Sequence, residues 1–364
     1  MLKRLCTVII LIQTFFFTSL ISCVNPGLPE EGDSEGAAFA NTEEKKEESQ
    51  INMHKFKNPV APSGNDPWLI FFEGSYYYCL SSQGGICVAR IENIYDMDKA
   101  TPKKIWTPPE NTMYSKELWA PELHYLEGEW YIYFAADDGK NENHRMYALK
   151  GTSQNPLDDF TFAGKVSDPS DKWAIDGTVM NYNGEMYFIW SGWAGTTDDS
   201  QNLYIAKMNG PCNISGGRVR ISIPKENWER NGMPLQEGPV AIERGGVTHI
   251  VYSASGSWTD DYCLGLLTLT GRDPLIPASW EKSSLPILKK SDEVFGPGHC
   301  SFTTSPDGGQ VWAVYHANIV SGSGWSGRKS WTQQVTWDEN NYPVIGRGTP
   351  PAPGEELEIA ENNN

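Results

Sequence analysis

Positive charge is scarce in this chain: 29 Lys and Arg stand against 46 Asp and Glu, a formal charge of −17. A binder of phosphate backbones needs a basic face, so nucleic acid is excluded as a partner. Cysteine is sparse and badly spaced for metal. Apart from Cys6 and Cys23, Cys79, Cys87, Cys212, Cys263 and Cys300 remain, an odd number without CxxC spacing, and zinc is not expected. Cys79 and Cys87 flank a turn, where a hairpin disulfide and two buried thiols are equal alternatives. Long apolar runs are missing beyond residue 20, so nothing downstream can span a bilayer. What is abundant is aromatic residues, with Gly and Pro scattered throughout, a composition that favours short strands and turns over helices.

The N-terminus reads as a targeting segment. Lys3 and Arg4 precede an apolar stretch from Val8 to about Leu20, too short for a membrane span. It ends Leu20-Ile21-Ser22-Cys23, which resembles the bacterial lipobox. The expectation is a signal peptide over 1–22, lipid on Cys23 and a lipid-anchored place in the cell envelope. From 23 to 57 the chain is rich in Pro, Gly and charge, with the run Glu43-Glu44-Lys45-Lys46-Glu47-Glu48. Too little here can be buried to offset the entropy of ordering, which predicts a solvated tether. The folded domain is expected over 58–364.

That domain repeats itself. Each unit opens with a short motif and continues into an aromatic hairpin turning on Gly. The motifs are Asp66-Pro67-Trp68, Trp119-Ala120-Pro121-Glu122, Ile175-Asp176-Gly177, Glu237-Gly238-Pro239 and Gly296-Pro297-Gly298-His299. Alternation such as Tyr131 and Tyr133 against Ile132 and Phe134 marks antiparallel strands packed on both faces. One unit cannot cover two faces, whereas blades stacked around an axis can. The predicted fold is an all-β, five-bladed β-propeller. If each motif opens the innermost strand of its blade, Asp66, Asp176, Glu237 and His299 converge at one mouth of the channel.

Convergent carboxylates in a cleft are the apparatus of glycosidic cleavage. The units resemble glycoside hydrolase family 43, over about Asn58 to Pro343. The resemblance implies Asp66 as general base, Glu237 as general acid and Asp176 as the carboxyl that orients the site and tunes the acid. It implies an axial role for His299, near Ca²⁺ or water, with a plain core histidine as the alternative. Arg328 resembles an arginine that contacts substrate. Trp119 and Trp193 lie beside the second and third motifs, where stacking on a sugar and ordinary blade cover are both open. No cofactor is required, a structural Ca²⁺ in the channel being the one candidate, and a monomer is expected.

The wording Ile175-Asp176-Gly177-Thr178-Val179 and Gly296-Pro297-Gly298-His299 resembles the α-L-arabinofuranosidase branches more than the β-xylosidases. The expected activity is inverting removal of terminal arabinofuranose from an arabinose-containing glycan. A β-xylosidase, galactofuranosidase or exo-β-galactanase activity, and a surface glycan-binding lipoprotein without turnover, stand as alternatives.

Overall fold

The hairpin turns are where the sequence dictates the backbone most directly. Glu73-Gly74, Glu127-Gly128, Asn183-Gly184 and Gly245-Gly246 each join two strands with both residues at positive φ. Two-residue turns of this hand match the right-handed twist of the flanking strands, and glycine adopts them without steric cost. Each turn starts a sheet of four antiparallel strands in chain order.

The computed structural model describes residues 52–361. It contains five such sheets and one two-stranded ribbon. The innermost strands are Trp68–Phe72, Lys116–Leu126, Ala174–Tyr182, Gln236–Arg244 and Phe295–Thr304. The sheets form a five-bladed β-propeller, as the repeats require. Apolar faces meet between blades: Tyr133 of the second and Phe188 of the third pack 5.4 Å apart, and Trp130, Trp312 and Trp331 are fully buried. Burying an aromatic of this size removes roughly 150–250 Å² from water, which is why an isolated blade would not hold.

The ring is shut by the segment that enters the first blade. Val60 N–H donates to Ser330 O, and Ala61 bridges Ser330. Asn58 Nδ2 donates to Thr332 O at 2.8 Å while Thr332 N–H donates to Asn58 Oδ1 at 2.9 Å. The amide thus imitates a strand residue beside the fifth blade. Both partners are buried, and leaving one unpaired there costs about 1–3 kcal/mol.

One boundary needs correction. The tether expected to reach Lys57 ends earlier, because Asn52–Lys57 pairs antiparallel with Glu356–Glu361. Phe56 is buried in this ribbon, and Lys55 bonds Glu356 at 2.8 Å. The expected signal segment, Cys23 and the tether as far as 51 lie outside the described residues. The five cysteines of the domain are free thiols, which decides between the two readings of Cys79 and Cys87. Among the described residues no helix is long and apolar enough to cross a membrane.

Candidate active site

A local device, repeated in every blade, aims the functional side chains. In or just before each innermost strand stands a residue in the left-handed region: Asp66 (φ 46°), Ala120 (42°), Asp176 (53°), Gly238 (53°) and His299 (50°). In blades two to five the pairing register breaks there, between Trp119 and Glu122, Ile175 and Thr178, Glu237 and Val240, and Gly298 and Ser301. Such bulges redirect side chains, and left-handed non-glycine residues carry strain that surrounding structure must hold. Here they concentrate at the channel mouth.

The bulge also shows an offset that the motifs concealed. Asp66, Asp176 and His299 occupy the left-handed position itself, whereas Glu237 comes one residue earlier. A Cβ on Gly238 would approach the His299 ring to 3.1 Å. The fourth blade therefore carries its carboxyl on the preceding residue.

The expected residues do meet. A cavity of about 570 Å³ is lined by Asp66, Asp176, Glu237, His299, Arg328 and Trp119, among others. Arg328 Nη1 lies 3.2 Å from Asp66 Oδ1, and its Nη2 donates to Ser257 O. The Asp66 N–H donates to His316 Nδ1 at 3.3 Å, tying down the strained residue. Burial and the nearby Arg328 push His316 down to about 3, so its ring is neutral and free to accept. Gly238 N–H donates to Asp176 Oδ2 at 3.1 Å, and Tyr262 OH donates to Glu237 Oε1 at 2.8 Å.

These surroundings drive the carboxyls apart. Burial opposes the charge on Asp66, but His299 and Arg328 outweigh it and hold this group well below the usual carboxylate range. Glu237 is pushed up to about 7, first by burial and then by the Asp66 charge, against the lowering effect of Tyr262. Asp176 is raised as well, by burial, Glu237 and Asp66. The expectation that Asp176 supplies the charge acting on Glu237 is thus revised: burial and Asp66 lead. Asp176 and Glu237 share one buried site, and such pairs release the second proton more reluctantly than the first.

Two substitutions separate these contributions. Removing the Tyr262 hydroxyl removes a bond that favours ionised Glu237, so Tyr262→Phe moves the alkaline limb of kcat/KM upward. Asp176→Asn removes the carboxyl that shares this buried site with Glu237, ends their coupled release of protons and moves the limb downward. Opposite shifts in pH–rate profiles are the expected result; shifts of one sign would show that the two side chains do not act through Glu237.

The aromatic assignments change in part. Trp119 is 36% exposed, lines the cavity and stacks on His144 at 3.9 Å. Trp193 does not line it: only 4% exposed, it lies behind Trp173, which does, with the rings parallel at 4.6 Å. Strand alternation turns Trp193 into the sheet packing. Trp258 and Trp325, 40% and 58% exposed, form an edge-to-face pair at the rim. Both sit outside the repeated motifs, and their only sequence signal was tryptophan beside Gly and Ser, as in Gly256-Ser257-Trp258.

His299 was also a candidate for Ca²⁺. Its Nδ1 stands 3.2 Å from Asp66 Oδ1 and 4.0 Å from Asp176 Oδ2, and its N–H donates to Ser253 Oγ. Ca²⁺ takes six to eight oxygen ligands. Among the described residues no group of three or more His, Cys, Asp or Glu side chains is arranged to hold a metal. Protein side chains alone therefore do not complete such a shell around His299, whose ring lies against Asp66.

Residues 56–343 match the family described as glycosyl hydrolases family 43. Over 305 residues the chain is 35% identical to the extracellular exo-alpha-(1->5)-L-arabinofuranosidase of Streptomyces avermitilis, covering 80% of this chain and 63% of that protein. It is 32% identical to alpha-L-arabinofuranosidase 43 of Humicola insolens, covering 82% of this chain and 64% of the relative. The chain therefore spans a little under two thirds of the length of these relatives. The crystal structure of an alpha-L-arabinofuranosidase from Lactobacillus brevis superposes with a TM-score of 0.76 at 31% identity, covering 82% of this chain and 98% of that one. Because the family match begins in the terminal ribbon and runs into the last strand of the fifth blade, it covers the folded unit rather than one motif, and the chain belongs to glycosyl hydrolases family 43.

Proposed function

We propose that the protein is an α-L-arabinofuranosidase that removes terminal arabinofuranosyl residues from an arabinose-containing glycan with inversion. One observation carries the reading: a single cavity holds Asp66, kept ionised, and Glu237, kept protonated to about pH 7. A base and an acid poised on opposite sides of neutrality are what single-displacement glycoside hydrolysis needs. Glu237 protonates the departing oxygen, and Asp66 takes a proton from the attacking water. Arg328 secures Asp66 and faces the sugar. Trp119 offers a face for the terminal sugar, and the Trp258–Trp325 rim offers one for the remainder of the glycan. The likeness to arabinofuranosidases supports the choice of sugar.

The test is a substrate series: 4-nitrophenyl α-L-arabinofuranoside, β-D-xyloside and β-D-galactofuranoside, with arabinan as polymer. We expect the arabinofuranoside to be preferred, arabinan to release arabinose alone, and proton NMR to show the β anomer first. Preference for the xyloside, or early α anomer, would overturn the reading. Secretion and anchoring through Cys23 belong to the same proposal, supported by the lipobox-like end of the apolar segment and by a relative named extracellular. Labelled fatty acid should appear on wild-type protein and be absent from Cys23→Ala; an unlabelled wild type rejects the anchor.

A further inference from the structure

We propose that a second cavity behind Asp66 is the chamber from which the attacking water reaches the base. The inference rests on the glycosidase reading above. This cavity, about 440 Å³, lies between the segment entering the first blade, the strand Ser75–Ser82 and the stretch around Trp119. Asn65, Asp66 and Trp119 line both cavities; Glu237 and Asp176 line only the larger one. Of the three carboxyls, only the base faces both spaces.

That partition matches the stereochemical demand. In an inverting displacement the water oxygen bonds to the anomeric carbon from the side opposite the leaving group. The carbon–oxygen bond to the aglycone breaks, the departing oxygen takes the Glu237 proton, and Asp66 accepts a proton from the water. A sugar seated in the larger cavity between the two carboxyls blocks that cavity as a supply route. One water is consumed each turnover, and its replacement arrives on the side that Asp66 alone borders.

The lining suits water. Ser63, Tyr78, Ser81 and Asp98 contribute polar groups beside Leu80 and Pro121. Gly64 also lines it, and a Cβ there would collide with the buried Ser330 hydroxyl. A polar, roomy site is where water binds. Asp98 and Asp66, both in the lining, disfavour an anion as the occupant.

The experiment narrows the chamber alone. Ser81 and Ala100 line it and do not line the larger cavity. Ser81→Trp and Ala100→Trp are made separately, and whichever retains the wild-type circular dichroism is assayed. Expected is a fall in kcat of at least about tenfold on 4-nitrophenyl α-L-arabinofuranoside, with the inhibition constant of free arabinose unchanged, since the sugar site is untouched. Unchanged kcat in a filled variant overturns the proposal. So does a raised KM for arabinan with kcat on the aryl substrate intact, which would make the chamber a sugar subsite. A wild type inactive on every arabinofuranoside defeats the functional reading alone, and the filled variants are then assayed on the aryl glycoside it does cleave.

Discussion

Glu237→Gln should lower kcat/KM on arabinan by about 10²–10⁴, the usual worth of a positioned general acid, while sparing aryl arabinosides whose phenol is acidic. A poor leaving group departs only as it is protonated; a nitrophenolate leaves without help. The amide keeps the shape of the side chain and the position of Tyr262, but has no acidic proton to give. Brønsted plots of kcat/KM against leaving-group pKa should steepen in the variant. Equal losses on arabinan and on the aryl substrate would mean that Glu237 is not the acid.

Asp66→Asn should depress both substrates alike, by a factor of about 10³ or more, because activating water is needed whatever leaves. Asparagine is the fitting replacement here, since Asp66 lies at φ 46° and asparagine tolerates the left-handed region better than alanine. The wild-type pH profile follows from the same environment. A base held well below the usual carboxylate range stays ionised, so the acidic limb should fall below about pH 4, the ordinary aspartate value. The alkaline limb should lie at about pH 7, where Glu237 loses its proton. Activity that rises between pH 7 and 9 would contradict this pairing, and near-normal turnover in Asp66→Asn would remove Asp66 from the reaction.

How much of this could be read from residues alone depends on repetition. The blades were legible because five motifs recur ahead of five aromatic hairpins, and the turns that join them require Gly at fixed places. The meeting of Asp66, Asp176 and Glu237 followed from that topology. The offset of Glu237 did not, because it depends on a bulge and on the His299 ring crowding Gly238. Trp193 stayed open between sugar stacking and blade cover because a strand period of two cannot say which face of a buried blade looks into the cavity. Trp258 and Trp325 escaped because rim loops carry no period. The ribbon strand Asn52–Lys57 escaped for another reason: only Phe56 within it is buried, and its partner lies some 300 residues away.

The amide of Asn58 that completes the fifth blade has a bearing on how the chain is made. Its bonds to Thr332 join positions 274 residues apart. Loops of that span close slowly and late compared with local hairpins. Four blades can pack as they emerge, and Ser301 and Thr304 give the first blade its earliest bonds to the fifth, yet the Asn58 clasp cannot form until residue 332 has left the ribosome. Until then the entry segment of the first blade has no partner on the fifth. The fastening is thus a clock as well as a clasp, set by the order of synthesis.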